Sequence, residues 1–259
     1  MRLAFLDEGP GPAVVLLHGF PLSRAMWKEQ VTGVGSIYRL IVPDLRGHGD
    51  SPAPDGVYTM DEMADDVIEL LDTLSLDTPV VVGGLSMGGY VALSLVLRYP
   101  TRVRGLMLMD TRAGADSPDA AQKREETAQA VIAAGNAGPV IESMVPRLFA
   151  KRTLEERPER VASLREVMER NTPRGIAGAL RGMACRPDRR GDLAKIAVPT
   201  LVLVGEEDVI TPPAEAQSLA DAISGSRLEV VPHAGHMAPY ENPAIANPVM
   251  LRFLESLDR

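Results

Sequence analysis

Ser86 lies between glycines in residues 84–88 (Gly-Leu-Ser-Met-Gly), after an apolar run at 80–82 and before a helical pattern at 90–98. A sharp strand-to-helix turn needs glycines where a Cβ would clash, and it exposes the serine oxygen below the N-terminus of the next helix. The unpaired N–H groups of that helix end can stabilise a developing oxyanion. The pattern predicts a nucleophilic serine, but a plain turn fits it equally well unless the chain also supplies a base and an acid.

Four histidines are the candidates for the base, namely His18, His48, His233 and His236. His18 and His48 lie in glycine-containing turns after apolar runs, and we expect both to stabilise those turns. The other two lie in a loop between the last strand pattern and the C-terminal helix. We favour His236 because it comes later in that loop and can reach back across the sheet ends, whereas we expect His233 to brace the loop.

The acid that orients the base has two candidates, Asp208 and Asp110. Asp208 follows an apolar run and precedes an apolar pair, so it can turn inward while Glu206 and Glu207 face water. Asp110 ends the preceding apolar run, where a loop hydrogen-bonding role is the simpler interpretation. We favour Asp208 and keep Asp110 as the alternative.

Short apolar runs recur along the chain and predict the strands that position these residues. They span residues 13–17, 39–42, 79–82, 104–109, 199–204 and 227–231. Short continuous runs are typical of strands that are buried on both faces of a parallel sheet. Helical periodicity lies between them, as at 60–74 with Thr59 as N-cap. The alternation predicts an α/β fold with a doubly wound, mostly parallel sheet, in which ligands bind at the carboxyl ends of the strands.

The connection from residue 110 to residue 198 is far longer than an ordinary crossover. It contains three amphipathic stripes, which begin after Pro139, after Pro158 and at Pro173. We therefore predict a core of residues 1–110 and 198–259, with a helical cap inserted at residues 111–197. Most apolar residues of the stripes must pack, and a few can line a pocket.

Composition narrows the class of protein. The 259 residues are 45% hydrophobic and carry a formal net charge of −8, which suits one α/β domain with an insertion and argues against a nucleic-acid partner. An acidic pair near the start argues against a signal peptide, and no apolar run reaches the length of a membrane span, so we expect a cytoplasmic protein. The single cysteine, Cys185, is expected to be a buried structural thiol.

Five landmarks in order resemble the α/β-hydrolase superfamily. They are residues 18–21 (His-Gly-Phe-Pro), 44–51 (Asp-Leu-Arg-Gly-His-Gly-Asp-Ser), 84–89 (Gly-Leu-Ser-Met-Gly-Gly), 205–208 (Gly-Glu-Glu-Asp) and 235–236 (Gly-His). The resemblance covers nearly the whole chain and implies that Ser86 is the nucleophile, His236 the base and Asp208 the acid. It also implies that the backbone N–H groups of Phe20 and Met87 form the oxyanion hole. Within the superfamily, the chain is similar to compact, lidded esterases and enol-lactonases.

The resemblance implies hydrolysis of a carboxylic ester or lactone through a covalent acyl-enzyme. Serine at this position excludes the reactions of family members that use aspartate, because an alkyl–enzyme ester requires a carboxylate nucleophile. Perhydrolysis and C–C bond hydrolysis by the same triad are alternatives. A third alternative is a receptor-like binding protein with slow turnover.

We expect an apolar pocket between the sheet ends and the cap, and therefore a small or medium apolar acyl group. The predicted lining residues are Phe20, Met87, Leu148, Phe149, Met183, Ile210 and Met237. No cluster has metal-ligand spacing, so we predict neither a metal nor a cofactor. The expected partner is a small-molecule ester or lactone, and the expected assembly is a monomer or a small homo-oligomer.

Overall fold

A computed structural model describes residues 1–258, in which a seven-stranded sheet forms the centre of an α/β fold. Its strands are β1 (Phe5–Glu8), β2 (Ala13–Leu17), β3 (Arg39–Pro43), β4 (Val80–Leu85), β5 (Val103–Met109), β6 (Thr200–Gly205) and β7 (Arg227–Val231). They are ordered β1-β3-β2-β4-β5-β6-β7, and β1 pairs antiparallel with β3 while the remaining pairs are parallel. The predicted fold class is confirmed.

The six strands predicted from apolar runs are all present, whereas β1 was not predicted. The side chains of β1 are mostly exposed, so this strand lacks the apolar run that marks a buried strand. The side chains of β4 and β6 are buried along their whole length. Burying one Val or Leu side chain contributes about 1.5–3 kcal/mol, so these strands form a rigid base for the loops at their carboxyl ends.

Helices cover both faces of the sheet. In chain order they are α1 (Lys28–Gly33), α2 (Met60–Thr73), α3 (Met87–Arg98), α4 (Pro118–Ala134), α5 (Gly138–Leu148), α6 (Lys151–Glu156), α7 (Pro158–Glu169), α8 (Pro173–Ala184), α9 (Pro213–Ala222), α10 (Ala238–Glu241) and α11 (Pro243–Leu257). The predicted N-cap of α2 is confirmed, since Thr59 Oγ1 accepts from the N–H of Glu62 at 3.1 Å. Among residues 1–258, none of the helices combines the length and the apolar composition that crossing a bilayer requires.

Five helices, α4 to α8, lie between β5 and β6 in the chain, and we call them the cap. The three predicted stripes correspond to α5, α7 and α8, while α4 and α6 were not predicted. Asn171 connects the cap to two core loops, because its Nδ2 donates to Pro21 O (2.8 Å) and its Oδ1 accepts from the N–H of Gly49 (2.7 Å). Asn171 is itself buried, so this connection is protected from water.

The prediction of a buried thiol at Cys185 is wrong, because this side chain is exposed. Cys185 is the C-cap residue of α8, one position beyond the last residue of the helix. The apolar stripe of α8 ends before it, so the cysteine falls outside the packed face.

Candidate active site

Ser86 lies at the turn between β4 and α3, where its φ is 53°. Such a left-handed backbone costs of order 1–3 kcal/mol and persists only where the surroundings enforce it. A Cβ on Gly84 would lie 2.1 Å from Gly88 O, and a Cβ on Gly88 would lie 2.2 Å from Leu17 O. Both flanking glycines are therefore required by close backbone contacts, as the sequence predicted.

A continuous chain of hydrogen bonds joins Ser86, His236 and Asp208. Ser86 Oγ lies 2.8 Å from His236 Nε2, and His236 Nδ1 lies 2.8 Å from Asp208 Oδ2. A carboxylate oxygen can only accept, so the proton of the neutral imidazole is on Nδ1 and Nε2 can accept from the serine hydroxyl. The structure thus brings together the three side chains that the sequence singled out, each from the end of a different strand.

The carboxylate of Asp208 is buried and surrounded by hydrogen-bond donors. Its Oδ1 accepts from the N–H groups of Ile210 (2.8 Å) and Thr211 (2.9 Å), and its Oδ2 also accepts from Thr211 Oγ1 (2.7 Å). Burial opposes ionisation, but the hydrogen bonds from His236 and Thr211 outweigh it and lower the pKa of Asp208 below its ordinary value. The carboxylate is therefore ionised at neutral pH.

The N–H groups of Phe20 and Met87 are the predicted oxyanion donors. Met87 is the first residue of α3, so its N–H has no acceptor within the helix. Among residues 1–258, neither N–H donates a hydrogen bond. His18 fixes the loop that carries Phe20. Its Nδ1 bonds Gly19 O and its Nε2 accepts from the N–H of Leu45, both at 2.9 Å. Burial lowers the pKa of His18 to about 4, so this ring is neutral at neutral pH.

Asp110, the alternative acid, bonds backbone groups. Its Oδ1 accepts from the N–H of Gly205 (2.8 Å) and its Oδ2 from the N–H of Ala238 (3.0 Å). Burial and the charge of Asp208 raise the pKa of Asp110 well above its ordinary value. Asp110 therefore ties the end of β6 to the segment that follows His236, which agrees with the predicted loop hydrogen-bonding role.

The two remaining histidines also belong to loops. His48 is buried, its Nδ1 bonds Arg46 O at 3.1 Å, and burial together with the neighbouring His18 lowers the pKa of His48 to about 3. His233 is exposed, and its backbone N–H donates to Glu206 Oε2 at 3.2 Å. Within residues 1–258, no group of three or more His, Cys, Asp or Glu side chains is arranged to hold a metal ion.

Sequence reasoning missed the buried residue Glu241. Its Oε1 accepts from the N–H of Gly235 (2.7 Å), next to His236, and its Oε2 accepts from the N–H of Ala150 in the cap (2.8 Å). Burial raises the pKa of Glu241 above its ordinary value. No sequence pattern indicates this role, because one of the two partners is 91 positions away along the chain.

A cavity of about 310 Å³ lies between the cap and the core loops. The loops after β2, β5 and β6 contribute Phe20, Arg112 and Ile210 to it, and side chains of α4, α5 and α8 form the opposite wall. Phe20 and Ile210 were predicted to line the pocket. The other five predicted residues are buried and do not line this cavity; they are Met87, Leu148, Phe149, Met183 and Met237.

The lining of this cavity is partly apolar and partly cationic. Its apolar residues include Val140, Met144 and Leu180, on the predicted helices, but its wall also carries cationic side chains of Arg112, Lys123, Arg124 and Arg147. An apolar stripe identifies the face of a helix that packs into the core. The cavity lies at the border of that face, where periodicity does not distinguish a lining residue from a solvated one.

Comparisons with known proteins agree with this geometry. A family model described as alpha/beta hydrolase fold matches residues 12–243. The chain is 31% identical over 257 residues to 3-oxoadipate enol-lactonase 2 of Acinetobacter baylyi, which covers 98% of this chain and 94% of that protein.

Solved structures are similar along the whole chain. A thermophilic esterase from Thermogutta terrifontis superposes with a TM-score of 0.96 at 44% identity, covering 98% of this chain and 93% of that one. An enol-lactonase from Burkholderia xenovorans gives a TM-score of 0.89 at 29% identity, covering 98% and 96%. The chain therefore belongs to the α/β-hydrolase family and resembles its enol-lactonases and esterases.

Proposed function

We propose that this protein hydrolyses carboxylic esters or lactones, with Ser86 as the nucleophile, His236 as the base and Asp208 as the orienting acid. The observation that carries the proposal is the hydrogen-bond chain of two 2.8 Å contacts that ends on Ser86. Ser86 is also partly exposed, so a substrate can reach its oxygen. Relatives named as an esterase and as enol-lactonases act on the same bond type.

In the first half of the reaction, Ser86 Oγ attacks the carbonyl carbon while His236 Nε2 takes the hydroxyl proton. The carbonyl oxygen becomes an oxyanion and accepts hydrogen bonds from the N–H groups of Phe20 and Met87. The imidazolium, stabilised by Asp208, then gives its proton to the leaving oxygen as the C–O bond breaks. An acyl ester on Ser86 and an alcohol result; from a lactone, the alcohol stays attached to the acyl group.

In the second half, His236 takes a proton from a water molecule, and the resulting hydroxide oxygen attacks the acyl carbon. A second oxyanion forms at the same two N–H groups. His236 then returns the proton to Ser86 Oγ as the acyl bond breaks, and the carboxylic acid is released. Each oxyanion donor is worth about 3–4 kcal/mol of transition-state stabilisation in comparable sites.

The test of this proposal is the hydrolysis of p-nitrophenyl butyrate and of a simple lactone by Ser86→Ala. The variant should lose about 10⁴-fold or more of kcat, because no other group supplies the nucleophile. Ser36→Ala is the matched control, since Ser36 is exposed and its Oγ bonds only the nearby Gly33 O (3.0 Å).

Two outcomes would contradict the proposal. In one, the Ser86→Ala variant keeps most of the activity; in the other, the wild-type protein hydrolyses neither the ester nor the lactone. Circular dichroism of each variant separates loss of chemistry from loss of folding. Hydrogen peroxide added to the same assay tests perhydrolysis, because peracid would then form in place of carboxylic acid.

A further inference from the structure

The cavity between the cap and the core concentrates positive charge. Four cationic side chains line it, and among residues 1–258 no acidic side chain does; the four are Arg112, Lys123, Arg124 and Arg147. The whole chain, in contrast, has 35 acidic and 27 basic residues. A separate cavity of about 400 Å³ beside α9 is lined by one arginine and one glutamate, Arg190 and Glu215. The wall of the cavity between cap and core therefore differs in charge from the chain as a whole, since among the described residues it carries cations and no acidic side chain.

Nearby acids leave most of this charge uncompensated. The buried carboxylate of Asp116 contacts Arg112 (3.2 Å), Arg124 and Arg186 (2.8 Å). Burial opposes its ionisation, but the hydrogen bonds and charges of Arg124 and Arg186 outweigh it and lower the pKa of Asp116. One carboxylate thus faces three guanidinium groups.

Two further cations add to this excess. Lys123 and Arg147 form no ion pair with any residue of the described range 1–258. Both side chains are exposed and line the same cavity, so an anion bound between them is attracted by both and reduces the repulsion within the cluster.

The cavity adjoins the reacting groups. Arg112 follows Thr111, whose Oγ1 donates to Ser86 O at 2.8 Å, and Ile210 donates its N–H to Asp208. The Nε of Arg112 is buried and has no hydrogen-bond partner among the described residues. A molecule in the cavity therefore lies against the same loops that hold the triad.

We propose that this cavity binds a carboxylate on the acyl part of the substrate, so that the protein acts on anionic esters or lactones. The inference rests on the proposed function and narrows its substrate class. Val140 and Arg147 are two turns apart on α5, so the apolar and the cationic parts of this wall are ~10 Å apart, which is enough for a short methylene chain that ends in a carboxylate. Val140, Met144 and Leu180 contact the methylene groups, and the guanidinium of Arg147 and the ammonium of Lys123 bind the carboxylate.

The test compares two p-nitrophenyl esters of the same acyl chain. Mono-p-nitrophenyl adipate carries a terminal carboxylate, and its methyl ester is the neutral partner. The quantity compared is the ratio of kcat/KM for the anionic ester to kcat/KM for the neutral ester. A change that affects the reactivity of Ser86 alters both values equally and leaves this ratio unchanged. We expect wild type to favour the anionic ester by about tenfold or more at low ionic strength, because guanidinium–carboxylate pairs are among the stronger polar contacts.

Arg147→Gln should lower this ratio by about fivefold, and the double variant with Lys123→Gln should bring it close to one. Arg170→Gln is the matched control, since Arg170 is an exposed cap arginine outside the cavity, and its ratio should equal that of wild type. Free adipate should inhibit hydrolysis of p-nitrophenyl acetate by wild type, and more weakly in Arg147→Gln.

Three results would overturn the inference. If wild type hydrolyses both esters with similar kcat/KM, the inference fails while the proposed function stands. If neither adipate ester is hydrolysed while p-nitrophenyl butyrate is, the inference also fails and the proposed function stands; the proposed function fails too only if p-nitrophenyl butyrate and the lactone are not hydrolysed either. A ratio that falls equally in Arg147→Gln and Arg170→Gln would show a general charge effect and would also overturn the assigned site.

Discussion

The core side and the cap side of the site are built in different ways. On the core side, polar groups come from strand ends and are satisfied by short contacts, as in the four hydrogen bonds that Asp208 accepts. On the cap side, cationic side chains project from α4 and α5, and two of them, Lys123 and Arg147, have no ion-pair partner in the described range. A saturated network fixes geometry, whereas unpaired charge is available to a ligand.

We therefore propose that the two sides of the site have different tasks. The core side holds the reacting atoms, and its tolerance for change is small because each atom has a defined partner. The cap side selects the substrate, and its residues can change without disturbing the reaction. Substitutions on the two sides should therefore differ in which kinetic parameter they alter and in how strongly.

The largest effect should come from Asp208→Asn on the core side. The asparagine amide can donate to His236 Nδ1, which would place the imidazole proton on Nε2, where it cannot accept from Ser86. We expect kcat to fall by about 10³–10⁴-fold. The loss should be equal for the anionic and neutral esters, and a loss confined to one of them would erase the proposed separation of tasks.

A smaller but still large effect is expected from Gly88→Ala. The added Cβ would lie 2.2 Å from the backbone oxygen Leu17 O, which cannot move without distorting β2. We expect the free energy of unfolding to fall by about 2–3 kcal/mol, as measured by urea denaturation. Gly191→Ala is the control, since no atom lies within 4 Å of its added Cβ and its stability should be unchanged. Equal stability of the two variants would show that the turn is less constrained than described.

The smallest effect concerns Glu241, which joins the two sides through Gly235 and Ala150. Burial raises the pKa of Glu241 above 4.5, so the folded protein binds this proton more tightly than the unfolded chain. The contribution of Glu241 to the free energy of unfolding is therefore greatest below pH 4.5. It declines as the pH rises from 4.5 through the raised pKa of the folded protein. Glu241→Gln should lack this decline, which urea denaturation of both proteins across that window would measure. Parallel pH profiles would show that Glu241 does not titrate in this way.

The two sides also differ in how far the sequence predicts them. Ser86, Asp208 and His236 follow short local signals at strand ends, and the structure brings all three together. No sequence pattern marks Arg147 and Lys123 as lining residues, because a solvated cation and a ligand-binding cation occupy the same positions in a helical pattern. Their shared cavity depends on how α4 and α5 pack, and the sequence analysis did not detect α4, whose exposed residues show little apolar periodicity.

Local signals therefore predicted the fold class and the candidate triad, but contacts between distant segments were out of reach. Asp110 was assigned a loop role, yet its link between β6 and Ala238 is visible only in three dimensions. The cap was predicted as a segment, while its connection to the core through Asn171 depends on partners about 120 and 150 residues away.

The central claim is that Ser86, activated by His236, attacks the carbonyl carbon. The most direct measurement is the mass of the protein after reaction with a p-nitrophenyl alkylphosphonate, which mimics the first tetrahedral state and stays bound to the nucleophile. We predict a gain of one phosphonyl group on the peptide that contains Ser86, and no gain in Ser86→Ala. An adduct of the same stoichiometry in Ser86→Ala, or an unlabelled wild type that still hydrolyses esters, would contradict the account.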